Sequence, residues 1–568
     1  MSVRLLHFST IVFSLVSFIA PALCTAQSIE TEQLLRQQER ERELRQKNET
    51  QNPSHLPTPT LETSLLPTEE APCRFIDTLV LEGDGSEHFQ WALAAADRNN
   101  DPARGRCLGL SGIELVIQRI QQAILERGYV TTRVLTEKQD IRNGTLRLTL
   151  LPGRIRHIRF ADGTSTRATL WNAMPAKPGD LLNVRVLEQG LDNFQRLPSA
   201  EAELIIDAVQ NANAAQSESD VIIKWKQALP FRLNLSLDDA GSKYTGKHQA
   251  ALTLAYDHWW TLNDLFYVSV NQAVGGGLPG ERGSQAQTVH YSVPWKEWLL
   301  SATANTFEYY QMVAGLNQDY NYHGNGNNHD LTITRLLSRS SLGKTSASLR
   351  WWSRESRNFI DDAEVRPQRR DTGGWELGLH HRLKLGTTSF DANLAARRGT
   401  GAFGSRTAPE EAFGEGTSRM QILRADATLS APFRLASQRL RYVSGWRAQW
   451  NGTPLTPQDR FAIGSRYTVR GFDGEFFLSG DNGWLLRQEI GLALAPIASE
   501  LYAGIDTGKV GGRSTATLLG NRLTGAVIGL RGNAARMSWD LFVASPIDKP
   551  EGFRTASTTA GFYLSLNF

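Results

Sequence analysis

The chain has 568 residues, more than one domain usually holds, so several domains are expected. Its 61 basic and 58 acidic side chains leave a formal net charge of only +3, which excludes the charge footprint of a nucleic-acid-binding protein. A mean hydropathy of −0.33 looks soluble but does not exclude a membrane β-barrel, whose lipid-facing and lumen-facing residues alternate.

Residues 1–26 read as an export signal. Arg4 supplies a positive start, Leu5 to Ala20 an apolar core, and Cys24-Thr25-Ala26 a small-residue cleavage pattern before Gln27. The apolar run is short and flanked like a signal rather than a membrane anchor, and bulky Leu23 argues against a lipoprotein site at Cys24. No other stretch approaches the roughly 18 apolar residues of a spanning helix. The mature chain is expected to be exported and, if it enters a membrane, to do so as a barrel. It keeps two cysteines, Cys73 and Cys107. An even pair in an exported protein favours a disulfide over two buried thiols, and no second pair stands nearby to make a zinc site. Closing that loop would stabilise by roughly 3–4 kcal/mol.

Residues 27–49 carry charge almost all round. Glu32–Arg36, Glu41–Arg45 and Glu43–Lys47 are favourable i,i+4 pairs, which predicts a helix. Its few apolar residues, Ile29, Leu34, Leu35 and Leu44, do not make a packed face. Two readings follow, a solvated tail or a helix lying in a water-filled pore. Residues 50–72 form a linker holding Pro53, Pro57, Pro59, Pro67 and Pro72.

Residues 73–153 form a small α/β domain. Arg74–Glu82 alternates like a strand and His88–Arg98 reads as helix. Gly112–Arg127 places Ile113, Val116, Ile117, Ile120 and Ile124 on one helical face, and Tyr129–Leu135 and Gly144–Leu151 read as strands. The β-α-α-β-β order repeats over 154–228. Arg154–Phe160 is predicted as a strand, Arg167–Met174 and Asn183–Leu197 as helices, and Glu203–Val209 and Asp220–Gln227 as strands.

Beyond residue 229 the helical period disappears. Leu233, Leu235 and Leu237 alternate with polar residues. Leu252, Leu254 and Tyr256 do so again, and the chain closes with Phe562, Leu564, Leu566 and Phe568 opposite Tyr563, Ser565 and Asn567. Of the 14 tryptophans, 11 lie in this part, as interface girdles require. At about 20 residues per tilted strand and its connection, residues 229–568 predict an antiparallel transmembrane barrel of roughly 16 strands. Arg470, in Val469-Arg470-Gly471-Phe472, cannot face lipid in such a sheet, where it would cost roughly 2–4 kcal/mol. It belongs in a water loop or folded into the lumen, where it needs a carboxylate partner.

No motif argues for catalysis, a metal or a cofactor. Gly241 to Lys247 has the spacing of a phosphate-binding loop, but His248 follows it and both flanks alternate like strands. Gly275 to Gly280 fits a dinucleotide fingerprint as poorly, because Pro279 and its β context exclude the required helix. His380 and His381 would point to opposite faces of a strand.

The whole mature chain resembles the outer-membrane transporters of two-partner secretion systems. The tandem modules look like polypeptide-transport-associated (POTRA) domains. In the first, Cys73, Cys107-Leu108, Arg127-Gly128-Tyr129-Val130 and Gly144-Thr145-Leu146 stand where that family has similar residues. Leu237-Asp238-Asp239-Ala240-Gly241 is similar to the family's opening hairpin, and Tyr291-Ser292-Val293-Pro294 to a later strand. Val469-Arg470-Gly471-Phe472 matches its lumen-folded sixth loop, with Phe472 where some relatives have tyrosine. Gly504-Ile505-Asp506 matches the strand whose aspartate meets the arginine.

The resemblance implies that residues 27–49 plug the barrel. It also implies that the POTRA domains lie in the periplasm and bind a secreted client, and that the chain works as a monomer in a Gram-negative outer membrane. No nucleotide or cofactor is implied. The expected function is export of one large β-helical client, an adhesin, hemolysin or contact-dependent toxin. The alternative is an insertase that assembles outer-membrane proteins. Insertases of the wider superfamily share the Arg–Asp pair but usually have more POTRA domains and lack the plug helix.

Overall fold

The computed structural model describes residue 33 and residues 36–42, 44–45, 56, 64–98, 100–208, 217–494 and 498–568. The predicted signal (1–26) and most of the predicted linker (50–72) lie outside the described residues. No described helix is long and apolar enough to cross a membrane.

The first module packs helix Leu110–Glu126 on a three-stranded sheet. Val116, Ile120 and Ile124, spaced four apart, are fully buried on it, each contributing roughly 1.5–3 kcal/mol. They meet Leu79 and Leu81 of strand Thr78–Glu82 and Leu146, Leu148 and Leu150 of strand Thr145–Leu151. Those two strands run parallel, and Arg133–Leu135 pairs antiparallel with the second. The predicted strand at Tyr129–Leu135 is thus shortened, because Gly128 adopts φ +96° and the chain turns before Arg133. His88–Arg98 forms 3-10 turns, Ser86–His88 and Gln90–Ala96, rather than an α-helix.

Strand Arg106–Leu108, not foreseen, pairs with Arg74–Ile76, and beside this pairing Cys73 and Cys107 are joined in a disulfide. The linker end is built into the module. The Glu70 carboxylate accepts from the backbone N–H groups of Gly109 at 2.6 Å and Gly112 at 3.1 Å, capping the long helix. A Cβ at Gly112 would stand 2.5 Å from that carboxylate, so the cap requires glycine there.

The second module repeats the sheet order. Gly153–Phe160 lies parallel to Ser217–Gln227, which pairs antiparallel with Ala200–Ala208. Helix Val184–Gln195 begins at Asn183, whose side chain accepts from Arg185 N. The helix predicted at Arg167–Met174 is absent, and the segment forms turns instead. Pro175, Pro178 and Gly179 follow it closely, and its polar groups are taken by the barrel. Arg167 Nη2 donates to His258 O at 2.8 Å, and Asn172 Nδ2 donates to Pro294 O at 3.1 Å.

Among the described residues, sixteen long antiparallel strands from Phe231–Asp238 to Thr559–Asn567 form the barrel, and the last pairs with the first. The two-residue strand Ala363–Glu364 adds a short pairing at one hairpin. Phe568 completes the seam by exchanging backbone hydrogen bonds of 2.8 and 3.1 Å with Leu233. Alternation sorts the faces: Leu235, Leu237, Leu252 and Leu254 point out, while Thr253 and Ser269 hydrogen-bond at 2.8 Å in the buried interior. The segment between strands Phe231–Asp238 and His248–Asp257 is a strand–turn–strand connection, as its flanks predict.

The second module is bolted to the barrel's near mouth. Arg339, just before a hairpin turn, reaches Glu188 at 3.0 Å and Asp192 at 2.6 Å on helix Val184–Gln195. Arg196 Nη2 donates to Ser292 Oγ at 2.7 Å. This mouth, open on the module side, faces a lumen that is far from empty.

Candidate functional site: two insertions in the barrel lumen

The connection spanning residues 452–481 does not extend away from the barrel. It folds inward, with a small hairpin of Phe461–Ile463 and Leu478–Gly480. Val469 and Phe472 bury themselves among Ile463, Leu485, Val510 and Leu523, and the Phe472 ring meets Phe553 edge-on at 5.8 Å. The phenylalanine at 472 therefore packs as an apolar anchor.

Between these anchors sits Arg470, 7% exposed, against Asp506, 0% exposed. Arg470 Nε donates to Asp506 Oδ2 at 2.7 Å and Nη2 to Oδ1 at 2.8 Å, a two-pronged pair. The Arg470 backbone N–H adds a bond to Oδ2 at 3.0 Å. The remaining nitrogen, Nη1, donates to Glu489 Oε2 at 2.8 Å. Glu489 is held in turn by Arg531 at 2.5 Å, and Arg531 also pairs with Glu500. Removing one member of a buried pair strands the other charge, which costs roughly 3–5 kcal/mol.

Glycines make the close approach possible. A Cβ on Gly504 would lie 2.9 Å from Arg470 Nη2, and one on Gly525 would lie 1.9 Å from Arg470 O. Gly471 holds φ +109° with Ser545 O directly beside it. The structure thus brings together Val469, Arg470, Gly471, Phe472, Gly504 and Asp506.

Sequence reasoning missed Glu489, Arg487 and Gly525. The signal for the first two lay in strand Asn482–Leu494, where Leu485, Arg487 and Glu489 alternate with apolar Trp484, Leu486 and Ile490. In a lipid-facing sheet those charges belong inside.

The second insertion is helical, comprising residues 33, 36–42 and 44–45 of the predicted plug segment. Gln33 Nε2 donates to Thr245 Oγ1 at 2.5 Å near the far mouth. Arg36 reaches Ala240 O, and Gly474 O at 3.3 Å, so the helix touches the inward-folded connection. Arg447 donates to Glu39 at 2.5 Å, while Arg40–Asp238 and Arg42–Asp426 stand 3.8 Å apart and Arg45–Asp330 3.5 Å. No cluster of potential metal ligands occurs among the described residues.

Outside the membrane strands, one buried carboxylate of the first module is strongly shifted. Burial alone would raise the Asp101 carboxyl, but hydrogen bonds from Leu66 N, Arg119 and Arg106 outweigh it and hold it at about 2.

Comparison with known proteins gives a consistent picture. Residues 217–532 match the family described as haemolysin secretion/activation protein ShlB/FhaC/HecB. Residues 76–153 match an ShlB-type POTRA domain and 154–208 a POTRA domain. The chain is 37% identical over 468 residues to the outer membrane transporter CdiB-2 of Burkholderia pseudomallei, covering 82% of this chain and 79% of that protein. It is 23% identical over 458 residues to the hemolysin transporter protein HpmB of Proteus mirabilis, covering 80% and 78% respectively. The solved structure of CdiB from Acinetobacter baumannii superposes with a TM-score of 0.83 at 28% identity, covering 96% of this chain and 99% of that one.

Proposed function

The chain belongs to the haemolysin secretion/activation protein family ShlB/FhaC/HecB, and from that premise we propose that it exports one dedicated large β-helical client through a gated lumen. It is an outer-membrane transporter of two-partner secretion, with its POTRA domains in the periplasm. The observation that carries the gating reading is the double occupancy of the pore, by the helical residues and by the connection latched through Arg470 to Asp506. The client class comprises adhesins, hemolysins and contact-dependent toxins.

In this reading the unfolded client meets the module edges first. Strands Arg133–Leu135 and Ala200–Ala208 each lie at a sheet edge, where an extended chain can add a strand. The charged helix leaves the lumen, the client passes as an extended chain, and its folding outside favours onward transit. A single copy suffices, because the pore lies within one closed barrel. Residues 1–26 direct export, and Arg470, with Val469, Gly471 and Phe472, keeps the connection seated against Asp506.

The test is secretion of the large protein encoded in the neighbouring reading frame. It is expected in the medium or at the cell surface only when this transporter is present. If deletion instead depletes many outer-membrane proteins while that client still reaches the surface, the export reading fails.

A further inference from the structure

Trp171 stands out because it is 62% exposed, whereas Trp225, the other tryptophan of the second module, is 5% exposed. Its position is fixed from both sides by the barrel. Two residues before it, Thr169 O accepts from Asn263 Nδ2 at 3.0 Å. Directly after it, Asn172 donates to Leu262 O at 2.5 Å and to Pro294 O at 3.1 Å, and its own carbonyl accepts from Lys296 N at 2.6 Å. Leu170 packs into the module core and Asn172 is buried, so Trp171 alone is left uncovered in this stretch.

The two hairpin turns that hold it carry exposed indoles of their own. Trp259 and Trp260 stack beside each other at 6.1 Å in the first turn, and Trp295 and Trp298 flank the second. Such indoles sit at the headgroup level of a membrane-spanning barrel. A residue hydrogen-bonded at both flanks to these turns is held at the same height.

We propose that Trp171 enters the periplasmic leaflet at its headgroup region and extends the barrel's aromatic girdle with a residue from the second POTRA domain. An indole suits that boundary, with an apolar body and one polar N–H. The second module is then seated on lipid as well as on protein. Its helix Val184–Gln195, pinned by Arg339, stays beneath the pore mouth.

The test uses the full-length mature chain, in which the disulfide leaves an introduced cysteine as the sole thiol. Trp171→Cys, Trp295→Cys and Leu135→Cys proteins are labelled with an environment-sensitive fluorophore and placed in phosphatidylcholine vesicles. The label at 171 is expected to behave as at 295, quenched several-fold more by a headgroup-level spin-labelled phospholipid than by aqueous iodide. Behaviour matching Leu135, on an edge strand of the first module, would overturn the proposal. An unlabelled check guards against a misfolded cysteine variant. The fluorescence difference between the native chain and Trp171→Phe is expected to be quenched by shallow brominated lipid, and an unquenched difference would equally overturn it.

Discussion

The lumenal helix and the inward-folded connection occupy the same pore, but their contacts differ in kind. The helix is charged nearly all round, and three of its ion pairs to the wall, at Asp238, Asp426 and Asp330, span 3.5–3.8 Å. The connection has an apolar cluster beneath it and a two-pronged Arg470–Asp506 pair at 2.7–2.8 Å with a third carboxylate contact. Single-pronged ion pairs at 3.5–3.8 Å hold less than a two-pronged pair at 2.7–2.8 Å, and breaking a buried pair costs roughly 3–5 kcal/mol. In the proposed export cycle the difference sets an order of events: the helix leaves first, and the connection stays until something displaces it.

The largest effect should come from the latch. Arg470→Ala is expected to abolish client secretion while barrel insertion stays near normal, and Arg470→Lys to impair it severely, because lysine supplies charge without the fork. Asp506→Ala should match Arg470→Ala, and the double variant should be no worse than either, as for two residues acting as a unit. Wild-type secretion by Arg470→Ala at equal surface abundance would erase the distinction between the two insertions.

Next in size is the pore itself. Deleting residues 28–49 should raise single-channel conductance in planar bilayers while secretion persists, since the helical residues described between 33 and 45 vacate the lumen. Unchanged conductance would show that this segment does not obstruct the pore.

A third buried charge, Asp101 in the first module, asks whether burial and hydrogen bonding alone make a pair strong. Its folded carboxyl titrates at about 2 against 3.8 ordinarily, so the unfolded chain binds more protons in between. The contribution of Asp101 to module stability is therefore fully present above about pH 4 and is lost as pH falls towards 2. Hydrogen exchange of helix Leu110–Glu126 in the full-length protein should report this loss, and Asp101→Asn should flatten it.

The smallest effects belong to the helix's single pairs. Glu39→Gln or Arg45→Gln should each raise the open fraction of the channel by no more than about fivefold. High salt should act in the same direction by screening. A large effect of either substitution would place the helix in the same class as the latch.

Much of this was legible in the sequence. Period-two alternation around Leu233–Leu237 and Leu564–Phe568 marked the barrel walls, because lipid on one face admits only apolar residues there. Arg470 was legible as a residue that lipid could not accept. The rest depended on tertiary context. Glu489 became Arg470's second acceptor only through the register of strands Asn482–Leu494 and Ser499–Gly511, which no local pattern specifies. The predicted helix at Arg167–Met174 lost to turns because its amide and guanidinium groups serve the barrel's hairpins. Glu70, distant in sequence from the helix it caps, likewise gave no local sign.

The hydrogen bond from Leu56 N to Glu188 Oε1, 2.8 Å long, determines how far the lumenal helix can travel. Eleven chain steps separate Arg45 in the pore from Leu56, a leash of at most about 36–40 Å when taut. The next fixed point is Ser64, whose carbonyl accepts from Arg119 at 3.1 Å. Releasing Leu56 lengthens the leash to nineteen chain steps, about 63–68 Å. The helix can then drop clear of the barrel into the periplasm while the first POTRA domain keeps its hold on Ser64, Leu66 and Glu70.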